Sequence, residues 1–265
     1  MRFILLLLIL LSSKFAQSQL RSILEIDKDL SEASAIEMTD SNLYWTIQDA
    51  GNENTLFALN SKGNIIRQIT IENSENDDWE DLTSDAQGNI YIGDFGNNSE
   101  KRKTFHIYKV NAKDLIYKSA KSDKISFTLP EDIDSKDFEA FFLFNNNFYV
   151  FSKEKKDAIM IKIPNKIGQY EAVFVTEFEL EGKGTDITSA DISADGSMVA
   201  LLNHDRVWIL NQFEKDVFFE GKLKSIEFEH NSQKEGVYIK TNNTLIISDE
   251  RNKDEGGFIY EFKLK

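Results

Sequence analysis

The chain of 265 residues carries 45 acidic and 31 basic side chains, two prolines and no cysteine. Lacking cysteine, it has no disulfide framework, thiol chemistry, cysteine zinc site or lipoprotein anchor, so stability has to come from a packed core. Its formal net charge of -14 repels nucleic-acid phosphates and anionic lipid, which argues against nucleic-acid binding.

At the start of the chain, Arg2 is followed by an apolar run over residues 3–11 and then by Ala16-Gln17-Ser18. This charged, apolar, small-residue order is that of a secretory leader. The run is shorter than the roughly 20 apolar residues a bilayer-spanning helix needs, so cleavage is expected after Ser18. Residues 1–18 are read as a signal peptide and residues 19–265 as one exported domain, periplasmic or extracellular, without a membrane anchor. That length suits one β architecture, which uses roughly 200–250 residues as a single unit.

Along the domain, strand signals dominate. Asn42-Leu43-Tyr44-Trp45-Thr46-Ile47, Asn89-Ile90-Tyr91-Ile92, Asn147-Phe148-Tyr149-Val150-Phe151 and Thr244-Leu245-Ile246-Ile247 are short and rich in aromatic and β-branched residues. Asn, Asp and Gly bound them, as expected of strands separated by tight turns. Each is preceded by a short strand that opens on an acidic or hydroxyl residue. The five openings are Ser31-Glu32-Ala33-Ser34, Asp78-Trp79-Glu80-Asp81, Asp137-Phe138-Glu139-Ala140, Asp186-Ile187-Thr188-Ser189 and Lys234-Glu235-Gly236-Val237. With Glu32, Glu80, Glu139, Thr188 and Glu235 as the register, successive spacings are 48, 59, 49 and 47 residues. The long spacing is assigned to residues 111–124, read as an extended polar loop.

A period of this size with four strands per repeat is the mark of a β-propeller. The fold expected is therefore all-β, a five-bladed β-propeller of four-stranded blades. The fifth repeat runs out after Phe262, and residues 20–26 supply its missing strand, closing the ring. This bookkeeping leaves no strand over and favours five blades over six.

In a propeller the first strand of each blade lies nearest the axis, so Glu32, Glu80, Glu139, Thr188 and Glu235 are expected to converge. At separations of about 5 Å and an effective dielectric near 20, each pair of ionised carboxylates repels by roughly 3 kcal/mol. Either some are protonated or a hard cation sits among them, and Ca²⁺, which takes 6 to 8 oxygen ligands, fits. A wet channel that binds nothing is the alternative. The loops after the second strands open on the same face, bringing Asp49, Asp94 and Asp249 as candidate catalytic bases and His204, Lys153 and Arg251 as candidate ligand-binding groups. No Gly-x-Ser-x-Gly, His-Glu-x-x-His or phosphate loop is present.

The order Glu, Glu, Glu, hydroxyl, Glu at the five openings resembles the five-bladed calcium-activated nucleotidases of the apyrase type. That resemblance implies a central calcium with nucleoside diphosphates hydrolysed above it. The Glu139-Ala140 and Glu235-Gly236 openings and Ile247-Ser248-Asp249-Glu250 are equally similar to the SdiA-regulated and esterase-like phytase propellers, secreted bacterial proteins of which many have no assigned activity. The expectation is a monomeric calcium-binding propeller with a small or extended ligand on its axial face. A calcium-dependent hydrolase of phosphoanhydrides or phosphoesters is the second reading, and a protein-binding propeller with an empty channel the third.

Overall fold

Phe141 and Phe142 are neighbours in sequence and both fully buried. Successive side chains of a strand point to opposite faces of its sheet, so this strand must be covered on both sides. The same holds for Ile246 and Ile247 and for Phe148 and Tyr149. Sheets covered on both faces have to stack on one another, and the strand order shows how.

The computed structural model describes residues 20–40, 42–182, 184–253 and 255–265. The signal peptide expected over 1–18 lies outside the described residues. No helix of the described residues is long and apolar enough to cross a membrane. After β1 (Leu20–Glu25), the first antiparallel unit comprises β2 (Ala33–Asp40), β3 (Leu43–Gln48), β4 (Thr55–Leu59) and β5 (Ile65–Glu72). The second comprises β6 (Trp79–Ser84), β7 (Ile90–Asp94), β8 (Phe105–Val110) and β9 (Ser119–Thr128). In the third, β10 (Phe138–Phe144), β11 (Asn147–Ser152) and β12 (Ala158–Pro164) are followed by β13 (Gly168–Glu171) and then by the outer strand β14 (Val173–Phe178). The fourth is β15 (Ser189–Ile192), β16 (Met198–Leu202), β17 (Arg206–Asn211) and β18 (Lys222–Glu227). The fifth is β19 (Lys234–Thr241), β20 (Thr244–Asp249) and β21 (Phe258–Lys263), completed by β1, which pairs antiparallel with β21.

Two details differ from expectation. Residues 111–124 are not one loop: β9 begins at Ser119, and its first three residues pair in parallel with Thr70, Ile71 and Glu72 of β5. A strand is also left over, because β13 pairs in parallel with the other end of β9. The polar outer strand β9 therefore joins the first two units into one nine-stranded sheet and has no free edge along these stretches, which removes a site for unwanted strand pairing.

Among the described residues the core divides into clusters that each lie between consecutive units. Trp45, Ile47 and Leu56 meet Trp79, Leu82 and Ile92, and Tyr91, Phe105 and Phe127 meet Phe138, Phe141 and Phe148. Phe142, Tyr149 and Phe151 face the other way, onto Val199, Leu201 and Trp208. Leu202 and Val207 meet Val237 and Ile247, and Ile246 and Ile259 meet Met38, Tyr44 and Leu59. The last cluster closes the circle. The first strands β2, β6, β10, β15 and β19 each touch the next, and β19 touches β2. This all-β architecture, sheets packed face to face around an axis, is that of a β-propeller.

Polar latches tie neighbouring units together near the axis. Ser34 Oγ donates to the Glu80 carbonyl at 2.7 Å, Thr188 Oγ1 to the Lys234 carbonyl at 2.6 Å, and Ser248 Oγ to the Ala35 carbonyl at 3.3 Å. Asp81 reaches furthest: its carboxylate accepts from Leu82, Phe141 and Ala190 N–H and from Ser189 Oγ, so one side chain of β6 holds β10 and β15.

Candidate functional site

The inner strands begin irregularly, and that irregularity aims the glutamates. In β6, Trp79 pairs with Asp94 and Asp81 with Gly93, leaving Glu80 as an extra residue. Glu139 is extra in the same way between Phe138 and Ala140, and Glu235 between Lys234 and Gly236. A bulge of this kind re-aims a side chain. Thr188 occupies the corresponding place just before β15, its N–H bonded to the Leu202 carbonyl. In the first unit the expected register is wrong. Ala33 pairs with Gln48, the last residue of β3, as Trp79 pairs with the last residue of β7. Ser34, not Glu32, is thus the counterpart of Glu80, and Glu32 is the counterpart of Asp78.

The structure brings Glu32, Asp49, Glu80, Glu139, Lys153, His204 and Glu235 to one cavity of about 160 Å³ on the axis, together with Asn98 and Glu250. Carboxylate oxygens of Asp49, Asp78 and Glu80 all lie within 4.8 Å of one another. Burial pushes the Glu80 carboxyl well above its ordinary value, and the charges of Glu139 and Asp49 add to it. Asp78 is pushed up to about 6 by burial and by Asp49. Glu250 is pushed up to about 7 by burial and by Glu235. In the same cavity Lys153 Nζ contacts Glu139 Oε1 at 2.5 Å. Burial still pushes Glu139 up to about 8, against the pull of that ammonium. His204 Nε2 lies 3.0 Å from Glu235 Oε1, and this hydrogen bond raises the imidazole pKa. The cavity thus brings Asp49 and Glu80, crowded together with Asp78, into the company of Lys153 and His204, each tied to a glutamate.

Gly96 makes room for the crowded side. A Cβ there would stand 2.1 Å from Glu80 Oε1 and 2.5 Å from Asp78 Oδ2, so any larger residue would drive the carboxyls apart. The donor set, all carboxylate oxygen, suits a hard cation such as Ca²⁺.

Four expected residues lie elsewhere. Thr188 keeps the expected place in the repeat but is buried and committed to the Lys234 carbonyl, so it does not line the cavity. Asp94 and Asp249 end the second strands and turn outward into the loops that follow. Asp94 is fully buried, 2.8 Å from Arg102 Nη1, and accepts from the Asp78 N–H. Asp249 is equally buried and accepts from the Phe258 N–H and the Tyr260 hydroxyl. Ser152, which ends β11, does the same work by accepting from the Ile159 N–H at 2.9 Å. Arg251 donates to the Ile26 carbonyl at 2.9 Å and to Glu25 at 3.2 Å, clamping the segment after β1. Asp78 was missed by the sequence reading, although it stands in the opening that holds Glu80.

No protein-family model matches the chain, and no curated protein matches it. Solved structures do. A structure of streptogramin B lyase is similar with a TM-score of 0.50 and 12% identity over 94% of this chain and 88% of that one. A PQQ-bound aldose sugar dehydrogenase from Streptomyces coelicolor is similar with a TM-score of 0.55 and 8% identity over 94% and 98%. Both neighbours are propeller-like enzymes with different activities. At such identities the likeness establishes the propeller fold and carries no reaction with it.

Proposed function

We propose that the protein is an exported calcium-binding propeller that takes a small or extended polar ligand at its axial face. The observation that carries this reading is the set of Asp49, Asp78 and Glu80 oxygens within 4.8 Å of one another, with Glu80 buried. Three carboxylates so placed hold either protons or a cation, because their mutual repulsion at low dielectric is too large to leave all of them bare. Asp49, Asp78 and Glu80 would hold the ion, and Ser34, Asn98 and water would complete its oxygen shell. Bound there, calcium would offer Lewis-acid polarisation of a ligand oxygen. The resemblance of the blade openings to calcium-activated nucleotidases and to the esterase-like phytase propellers supports the ion. The leader-like residues 2–18 support export.

Calcium that binds only the folded state raises the melting temperature. Wild-type protein is expected to show a saturable rise on calcium titration. Glu80→Gln, which keeps the shape of a protonated glutamate and removes its charge, is expected to lose most of that rise while remaining folded. A wild-type melting temperature that ignores calcium would leave the protein-binding reading.

Lys153 and His204 in the cavity lining favour a second reading, a calcium-dependent hydrolase of phosphoanhydrides or phosphoesters, because those two groups could receive an anionic ligand beside the ion. Calcium-dependent phosphate release from a panel of nucleotides and phosphoesters, lost in Glu80→Gln, is its test. Silence across the panel removes it.

A further inference from the structure

A mainly apolar hollow lies apart from the axial cavity. Between the second and third units lies a pocket of about 350 Å³ walled by Phe105, Leu129, Pro130 and Ile133, with Arg102 along one side. Small-molecule pockets span roughly 300 to 1,000 Å³ and are mostly apolar with few polar groups. We propose that this rim pocket is a binding site for a neutral aryl or branched-alkyl group.

The pocket is preformed. Phe105 is stacked on Phe127 at 5.3 Å and set edge-on to Phe138 at 5.4 Å, so the floor belongs to the core. The covering loop over residues 129–137 is pinned in place. Ser135 Oγ donates to the Arg102 carbonyl at 2.6 Å, Asn97 Nδ2 donates to Ser135 Oγ at 2.9 Å, and Ile133 N–H donates to the Pro130 carbonyl at 3.1 Å. A site of this kind costs little ordering when a ligand enters.

Its charges point to a neutral occupant. The Arg102 guanidinium is already neutralised by Asp94 at 2.8 Å and lies over the Phe105 ring at 5.7 Å. Lys103 and Glu131, both exposed at the lining, are opposite in sign. One polar atom is left over: Arg102 Nη2 is buried without a hydrogen-bond partner, 3.6 Å from Asp77. A hydroxyl or carbonyl oxygen on a ligand that reaches from the rim pocket into the neighbouring hollow, which Asp77 also lines, would complete it, since buried donors are normally paired.

The pocket also lies on a track to the axis. Arg102 lines a second hollow of about 370 Å³ with Asp78 and Asn98, and Asn98 lines the axial cavity. A ligand with its apolar end in the rim pocket could thus extend its polar end toward the axial carboxylates. That extension rests on the calcium reading above, whereas occupancy of the pocket does not.

The test titrates the full domain with 3-phenylpropan-1-ol and follows backbone amide shifts by NMR. Saturable shifts centred on Phe105, Leu129 and Ile133 are expected. Ile133→Trp, which fills the pocket, is expected to weaken binding by about tenfold or more, equivalent to about 1.4 kcal/mol. Thr128→Trp fills it from an exposed position and decides the matter if Ile133→Trp fails to fold. Glu80→Gln is expected to bind the alcohol as wild type does, so the loss of the calcium reading leaves this one standing. Shifts that do not saturate, that centre elsewhere, or that persist unchanged in the filled variants overturn the proposal. A tenfold preference for 3-phenylpropionate over the alcohol overturns the neutral occupant.

Discussion

Asp94 ends β7 and Asp49 stands just after the end of β3, and their surroundings separate their roles. The Asp94 side chain is fully buried, and Arg102, only 16% exposed, is its counter-charge. Removing one partner of such a pair leaves the other charge buried and bare, a cost of about 3–5 kcal/mol. Asp94→Ala is therefore expected to lower chemical-denaturation stability by about that much, while Asp49→Ala, at an exposed position, is expected to leave stability nearly unchanged and to weaken calcium binding. If Asp94→Ala keeps wild-type stability, the outward-facing role assigned to Asp94 is wrong. This contrast marks what the sequence could carry at the residue scale. Glu80, Glu139 and Glu235 were legible because an acid opens three repeats at the same point. Asp78 was not, because taking Glu32 as the partner of Glu80 slipped the first unit's register and hid the tier to which Glu32 and Asp78 both belong. Nor could composition tell an Asp that turns into a cavity from one that turns into its own loop.

At the scale of elements, ring closure depends on β1. Leu24 and Ile26 are buried in the cluster between the fifth and first units, and β1 covers the edge of β21. Burying two such side chains contributes about 1.5–3 kcal/mol each, and Arg251 adds its bonds to Ile26 and Glu25. A chain that starts at residue 27 is expected to unfold at markedly lower urea concentration than one that starts at residue 19, and to associate through the exposed β21 edge. Equal midpoints for the two chains would show that closure is made elsewhere. This closing strand was readable from the arithmetic of the repeat, as was β3, whose aromatic and β-branched residues stand between turns rich in Asn, Asp and Gly. The outer strands were not: β9 carries Lys121, Ser122, Asp123 and Lys124 in succession, because an outer strand has water beside it and needs no continuous apolar face. β13 is four residues long, too short for alternation to register.

For the whole molecule, the acidic centre links stability, pH and calcium. Asp78 and Glu139 have folded-state pKa values raised from 3.8 to about 6 and from 4.5 to about 8, and Glu250 is raised to about 7. The folded protein therefore holds these protons more tightly than the unfolded chain does. Their contribution is full below about pH 4 and is lost as pH rises through about 6 to 8. Without calcium, the melting temperature is expected to fall across that window. Calcium competes with protons for the Asp78 and Glu80 oxygens, so the rise it produces is expected to be small near pH 5 and to grow to a plateau above about pH 8. A second buried pair lies further along the first strands, Glu37 of β2 and Asp191 of β15, with Asp191 raised to about 7 by burial. Nothing in the calcium reading engages that pair, so its share of the alkaline loss is expected to persist in saturating calcium. Melting curves from about pH 5 to pH 9, with and without calcium, for wild type and Glu80→Gln separate the two contributions. A calcium-induced rise of the same size at every pH would mean that the ion sits away from Asp78 and Glu80.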